Sequence, residues 1–92
     1  MSEFEWDERK RERKLAKHGI DFADALGVFA GETLEFDDER KDYGEARTIC
    51  LSEANGHVFL VVFTWRGQRR RIISVRQANE REREIFRHRC QR

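Results

Sequence analysis

Asn55-Gly56-His57-Val58-Phe59-Leu60-Val61-Val62-Phe63-Thr64-Trp65 is the stretch on which the fold turns. Asn-Gly readily takes the left-handed backbone of a tight hairpin, and Val58 to Trp65 is β-branched and aromatic, so a hairpin is predicted here. Its upstream arm is Ala46 to Ser52, which contains Ile49, Cys50 and Leu51. Downstream, Gly67 separates Trp65-Arg66 from Arg69 to Arg76, where Ile72, Ile73 and Val75 mark a further strand. These three strands are expected to form a meander. Before them, Thr33-Leu34-Glu35-Phe36 alternates as a short strand does and runs into the charged loop Asp37 to Glu45.

Helical signals flank this block. Asp7 is placed to cap a helix over Trp6 to Lys17, with Glu8 in the first turn and basic residues toward the end, and His18-Gly19 stops it. Asp21 with Asp24 resembles a capping pair for a second helix. Its Phe22, Ala25, Leu26 and Phe29 fall at i, i+3, i+4 and i+7, and Gly31 closes it. Asn79 with Glu82 reads as a capping box for a last helix that carries Ile85 and Phe86. The expectation is one α+β domain over residues 1–92: two N-terminal helices, a four-stranded antiparallel sheet and one C-terminal helix, ααββββα. The helices should gather on one face, leaving the other for water or a partner.

Composition narrows the classes. Overall charge is +1, but residues 1–65 hold 9 basic and 15 acidic side chains, a net −6, while residues 66–92 hold 10 and 3, a net +7. The longest apolar run, Val58 to Phe63, is far short of the roughly 20 residues of a membrane helix, so no membrane association is expected. Nothing at the amino terminus resembles an export signal, and a cytoplasmic protein is expected. Cys50 and Cys90 are too few for a disulfide framework and read as reduced thiols. His88 and Cys90 make no metal quartet; neither a metal nor a cofactor is expected.

The arginine-rich strands carry the chemistry. Guanidinium groups stay charged and fork onto phosphate, so Arg47, Arg66, Arg71 and Arg76 beside the hydroxyls of Thr64 and Ser74 would suit an RNA backbone. Alternation pairs Thr64 with Arg66 and Ser74 with Arg76, and it turns Arg71 away from Arg76. Arginine is a poor general base, which directs attention to histidine, whose ordinary pKa near 6.5 suits proton transfer. His18, at the junction of the first two helices, is the candidate; His57 follows a turn and His88 sits in a terminal tail. Glu82 could orient an arginine, although its capping position already accounts for it. Trp65 reads as a packing residue more readily than as a base-stacking one.

Together Phe4-Glu5-Trp6-Asp7, Lys17-His18-Gly19, Phe22 with Ala25, Val28-Phe29, Tyr43-Gly44-Glu45 with Arg47, Val61-Val62-Phe63-Thr64 with Arg66-Gly67, and Arg71-Ile72-Ile73-Ser74 with Arg76 and Ala78 resemble the BrnT family of toxins of type II toxin-antitoxin systems. The resemblance spans roughly Phe4 to Phe86. It implies a RelE-like fold and a metal-independent endoribonuclease that halts growth. It also implies a BrnA-like ribbon-helix-helix antitoxin as partner, with operator DNA reached only through that antitoxin. The family pattern maps onto His18, Arg71 and Arg76 as catalytic candidates and onto Arg47, Thr64, Arg66, Ser74 and Glu82 as RNA-binding ones. Glu8, Lys14 and Phe86 depart from it, and Phe86 replaces a tyrosine often found in the last helix, so no phenolic proton is available there. Two other readings share the same basic strands: a module that binds RNA or ribosome without cutting, and a degenerate toxin that acts only as corepressor.

Overall fold

A computed structural model describes residues 3–40, 42 and 44–90, the side chain of Ala25 excepted. Tyr43 of the family motif therefore lies outside the described residues, as does the side chain of Ala25 in the predicted apolar stripe. In chain order the elements are β1 (Phe4–Trp6), α1 (Glu8–His18), a 3₁₀ segment (Phe22–Ala30), β2 (Thr33–Asp37), β3 (Thr48–Ala54), β4 (His57–Arg66), β5 (Arg69–Gln77) and α2 (Glu80–Cys90). The sheet order is β1-β5-β4-β3-β2.

The hairpin forms where predicted. Asn55 and Gly56 have φ of 54° and 81°, the left-handed pair that two-residue hairpins need, and Thr48–Ala54 pairs with His57–Phe63 across it. The capping box at Asn79 and the strand assignments also hold.

Three expectations are corrected. First, the sheet has five strands and is mixed, where a four-stranded antiparallel sheet was predicted. Phe4–Trp6 forms β1 and runs parallel to β5, with Phe4 beside Arg70 and Trp6 beside Ile72. A strand this short shows too little alternation to be read, and its partner is far along the chain. Trp6 thus precedes the helix, which runs from Glu8 to His18.

Second, Phe22–Ala30 is 3₁₀ and not α. With three residues per turn, Phe22 and Val28 align and are the buried ones among the segment's described side chains, while Phe29 is half-buried. Gly27, a weak helix former, sits in its middle.

Third, the helical segments do not share a face. Phe22 and Val28 pack with Cys50, Phe59, Val61, Phe63 and Val75, whereas Phe86 and Ala78 pack with Ile49, Leu51, Val58, Leu60 and Val62. Odd and even residues of β4 therefore enter different cores, and every residue from Val58 to Thr64 is buried. An unbroken apolar run is what a strand covered on both faces requires. Burial pushes the Cys50 thiol up to about 12, which keeps it protonated and inert.

A bulge interrupts the β4–β5 ladder between Val62 and Phe63: Val62 pairs with Ser74 but Phe63 with Ile72, so Ile73 is the extra residue. Its effect on side-chain direction shapes the site.

Candidate functional site

Helix α1 begins where the Asp7 carboxylate accepts the amides of Arg9 and Lys10 at 2.9 and 3.3 Å. Those amides, Lys10's first, hold the Asp7 carboxyl below its usual range. The helix ends at Gly19, whose φ of 68° suits glycine and whose amide closes onto the Leu15 carbonyl at 2.9 Å. No residue of α1 is buried. Besides its chain connections, Arg11 ties it down by forking onto Asp21 at 2.7 and 3.0 Å and also bonding Glu8. The guanidinium keeps the Asp21 carboxyl below the ordinary range.

This arrangement leaves a groove of about 490 Å³ between α1 and β5. β1 covers the outer edge of β5 only as far as Ile72, so Ile73–Val75 faces α1 across open space. Lys10, Arg13, Lys14 and Lys17, at i, i+3, i+4 and i+7, line it together with His18, Phe22, Ile73, Ser74 and Val75. Among the described residues, four Lys or Arg cations and no carboxylate line the groove. Two predicted site residues, His18 and Ser74, thus share one wall-to-wall space. The cationic stripe was missed by sequence reasoning, which summed the acidic half of the chain; the i, i+3, i+4, i+7 spacing of the cations was the signal that could have found it.

The strand arginines are arranged differently from expectation. Thr64 pairs with Arg71 and Leu60 with Arg76, and residues directly opposite share a face, so the bulge at Ile73 brings Arg71 onto the face of Arg76. The sequence reading had turned them apart because alternation counts an inserted residue as one step. Glu45 gathers Arg47 and Arg66 at 3.2 and 3.4 Å, and Arg71 lies 3.6 Å from Glu5. Arg47, Thr64, Arg66 and Arg71 therefore cluster at one end of the sheet. Thr64 is 5% exposed and donates its hydroxyl to the Ala46 carbonyl at 2.7 Å, so that donor is already committed. Arg76 stands farther along β5, about 15 Å from Arg71 by strand rise, so the two do not meet at one phosphate.

Arg76 is held by Glu82 through two bonds of 2.7 and 2.8 Å. Glu82 also accepts the Asn79 amide, and Asn79 accepts the Glu82 amide, both at 2.8 Å, which completes the predicted capping box. The Arg76 fork, then the Asn79 amide, hold the Glu82 carboxyl below its usual range against the opposing effect of burial. A depressed carboxyl stabilises the fold above the ordinary carboxylate range and loses that contribution as pH falls through its folded value. Arg76 is 41% exposed at its side chain, so solvent screening keeps the pair modest. Glu82→Gln is expected to cost about 1 kcal/mol near neutrality. In urea melts the gap to wild type should close below about pH 4; a gap independent of pH would mean that the carboxylate charge plays no part.

Phe86 is 2% exposed and lies within the core over which α2 packs, so this position is one of packing. Among the described residues no group of three or more His, Cys, Asp or Glu is placed to hold a metal ion, and no helix is long and apolar enough to cross a membrane.

The family model described as ribonuclease toxin, BrnT, of type II toxin-antitoxin system matches residues 6–82. That span takes in α1, the groove, the arginine-bearing strands and the Asn79–Glu82 box. No curated protein matches the chain.

Proposed function

The chain belongs to the BrnT family of ribonuclease toxins of type II toxin-antitoxin systems, and from that premise we propose that it cleaves RNA in the groove between α1 and β5 without a metal ion. The reading is carried by one observation: His18 and Ser74 open into a space lined by Lys10, Arg13, Lys14 and Lys17 and by no acid. A phosphodiester entering it meets positive charge from α1 and a hydroxyl donor from β5. His18 draws the proton from the ribose 2′-hydroxyl, whose oxygen attacks the adjacent phosphorus while the bond to the 5′-oxygen breaks and that oxygen takes a proton from water, giving a 2′,3′-cyclic phosphate and a 5′-hydroxyl. The cations offset the charge that builds on the phosphoryl oxygens.

Arg47, Arg66 and Arg71 bind the strand beyond the scissile linkage, on the face they share with Thr64, whose hydroxyl positions the Ala46 backbone. Arg76, held by Glu82, lends charge and orientation near Ser74. As a type II toxin the protein has an antitoxin partner and RNA as substrate. We assign a BrnA-like ribbon-helix-helix protein to the first role, with operator DNA contacted through it and the whole system acting in the cytoplasm.

The test is direct. Purified chain incubated with RNA in chelator is expected to yield fragments with 2′,3′-cyclic ends. Salt-sensitive binding without fragments would instead identify a non-cleaving module. Lys14→Ala is expected to weaken RNA binding and to reduce the slope of log K against log salt by about 0.7, the share of one cation on a single strand. An unchanged slope would remove the groove from the binding path.

A further inference from the structure

We propose that Trp65 and Arg70 form a stacking platform for one base of the bound RNA, outside the groove that holds the scissile phosphate. The proposal rests on the ribonuclease reading above and names a site that the reading does not use. Trp65 ends the buried run of β4 yet is 51% exposed, although its apolar area would suit a core. Directly across the ladder is Arg70. Its guanidinium carbon stands 4.6 Å from the Trp65 ring centre and 4.4 Å from that of Phe29, with Phe63 at 5.4 Å and Phe4 at 6.0 Å. Those rings brace one another: Phe4 on Phe29 at 5.4 Å, Phe29 edge-on to Phe63 at 5.5 Å, and Phe63 edge-on to Trp65 at 5.7 Å.

Neighbouring Arg66, Arg71 and Arg76 each reach a carboxylate. Arg70 meets ring faces instead, and its Nε is buried with no hydrogen-bond partner. A cation held over an exposed indole, with a buried donor left unmade, is a costly arrangement for stability alone. It is well suited to recognition. Bases of single-stranded RNA stack on aromatic rings and on guanidinium planes, and every base offers such a face. Arg70 and Ser74 are about 13 Å apart along β5, so one short RNA strand can reach both the platform and the groove.

The experiment uses purified chain, a 2′-O-methyl oligonucleotide of mixed sequence that cannot be cleaved, and inorganic polyphosphate as an anion without bases. Trp65→Ala is expected to weaken oligonucleotide binding about 5- to 150-fold, the range for one stacked base, and to leave polyphosphate binding unchanged. Trp65→Phe should recover most of the loss, and Arg70→Lys, which keeps the charge, should not match wild type. Should the alanine variant unfold, Trp6→Phe leaves Trp65 as the sole tryptophan of the two in the chain. Its emission should then respond to oligonucleotide and not to polyphosphate. Equal oligonucleotide binding in every variant, or an unmoved Trp65 emission, overturns the platform while RNA cleavage keeps the ribonuclease reading intact. Loss of antitoxin binding with oligonucleotide binding preserved assigns the surface to a protein partner and also overturns it. If wild-type chain neither binds the oligonucleotide nor cleaves RNA, the ribonuclease reading falls and the platform with it.

Discussion

Replacing His18 with glutamine is expected to lower RNA cleavage by about 10²- to 10⁴-fold, the usual contribution of a positioned acid-base group. The fold should survive. His18 is exposed at the last position of α1, and the bond that closes the helix runs from the Gly19 amide to the Leu15 carbonyl, independent of the imidazole. As a cation near a helix C-terminus the side chain would contribute at most about 1 kcal/mol. A loss of turnover in the stated range corresponds to about 3–5 kcal/mol of barrier, so the two roles separate cleanly by magnitude. Cleavage within about threefold of wild type would leave His18 as a helix-end residue and move proton transfer elsewhere.

Phe63→Ala should have the largest effect on stability. Phe63 is fully buried in the central strand, edge-on to both Phe29 and Trp65, and the cavity left by its ring is lined from the 3₁₀ segment, β1 and β5. Truncation of this kind costs about 3–5 kcal/mol. Domains of this size hold only about 5–15 kcal/mol in total, and the smallest scaffolds less. The midpoint of thermal unfolding is therefore expected to fall by at least about 12 °C, at roughly 4–8 °C per kcal/mol. Phe63→Leu should recover much of the loss, and the antitoxin should raise the apparent midpoint of both variants by binding the folded state. A fall below about 4 °C in the alanine variant would contradict a β4 packed on both faces.

Legibility followed the range of the interaction concerned. The left-handed pair at Asn55-Gly56, the Asp7 and Gly19 helix ends and the reciprocal Asn79–Glu82 bonds were all readable, because each is satisfied within about four positions of chain. Capping and turn chemistry depends on nearby backbone groups and so is written locally. The ordered short motifs were equally readable, and the family match over residues 6–82 agrees with them. The unbroken Val58–Phe63 run is the pattern of a strand buried on both faces, a signal that the expectation of helices on one face did not use.

What the chain's order of residues determined by itself was thus strands β2 to β5, the two α-helices with their caps, and its kinship. Tertiary structure decided which elements meet: that Phe4–Trp6 completes a fifth strand, that Ile73 is inserted and turns Arg71 toward the face of Arg76, and that the cations of α1 confront His18 and Ser74 across a groove. Side-chain direction on a strand is a parity, and one unpaired residue reverses it; that residue is defined only by the strand opposite. Electrostatic potential likewise depends on distance and not on position along the chain, so a segment acidic in sum can still present a wholly basic wall.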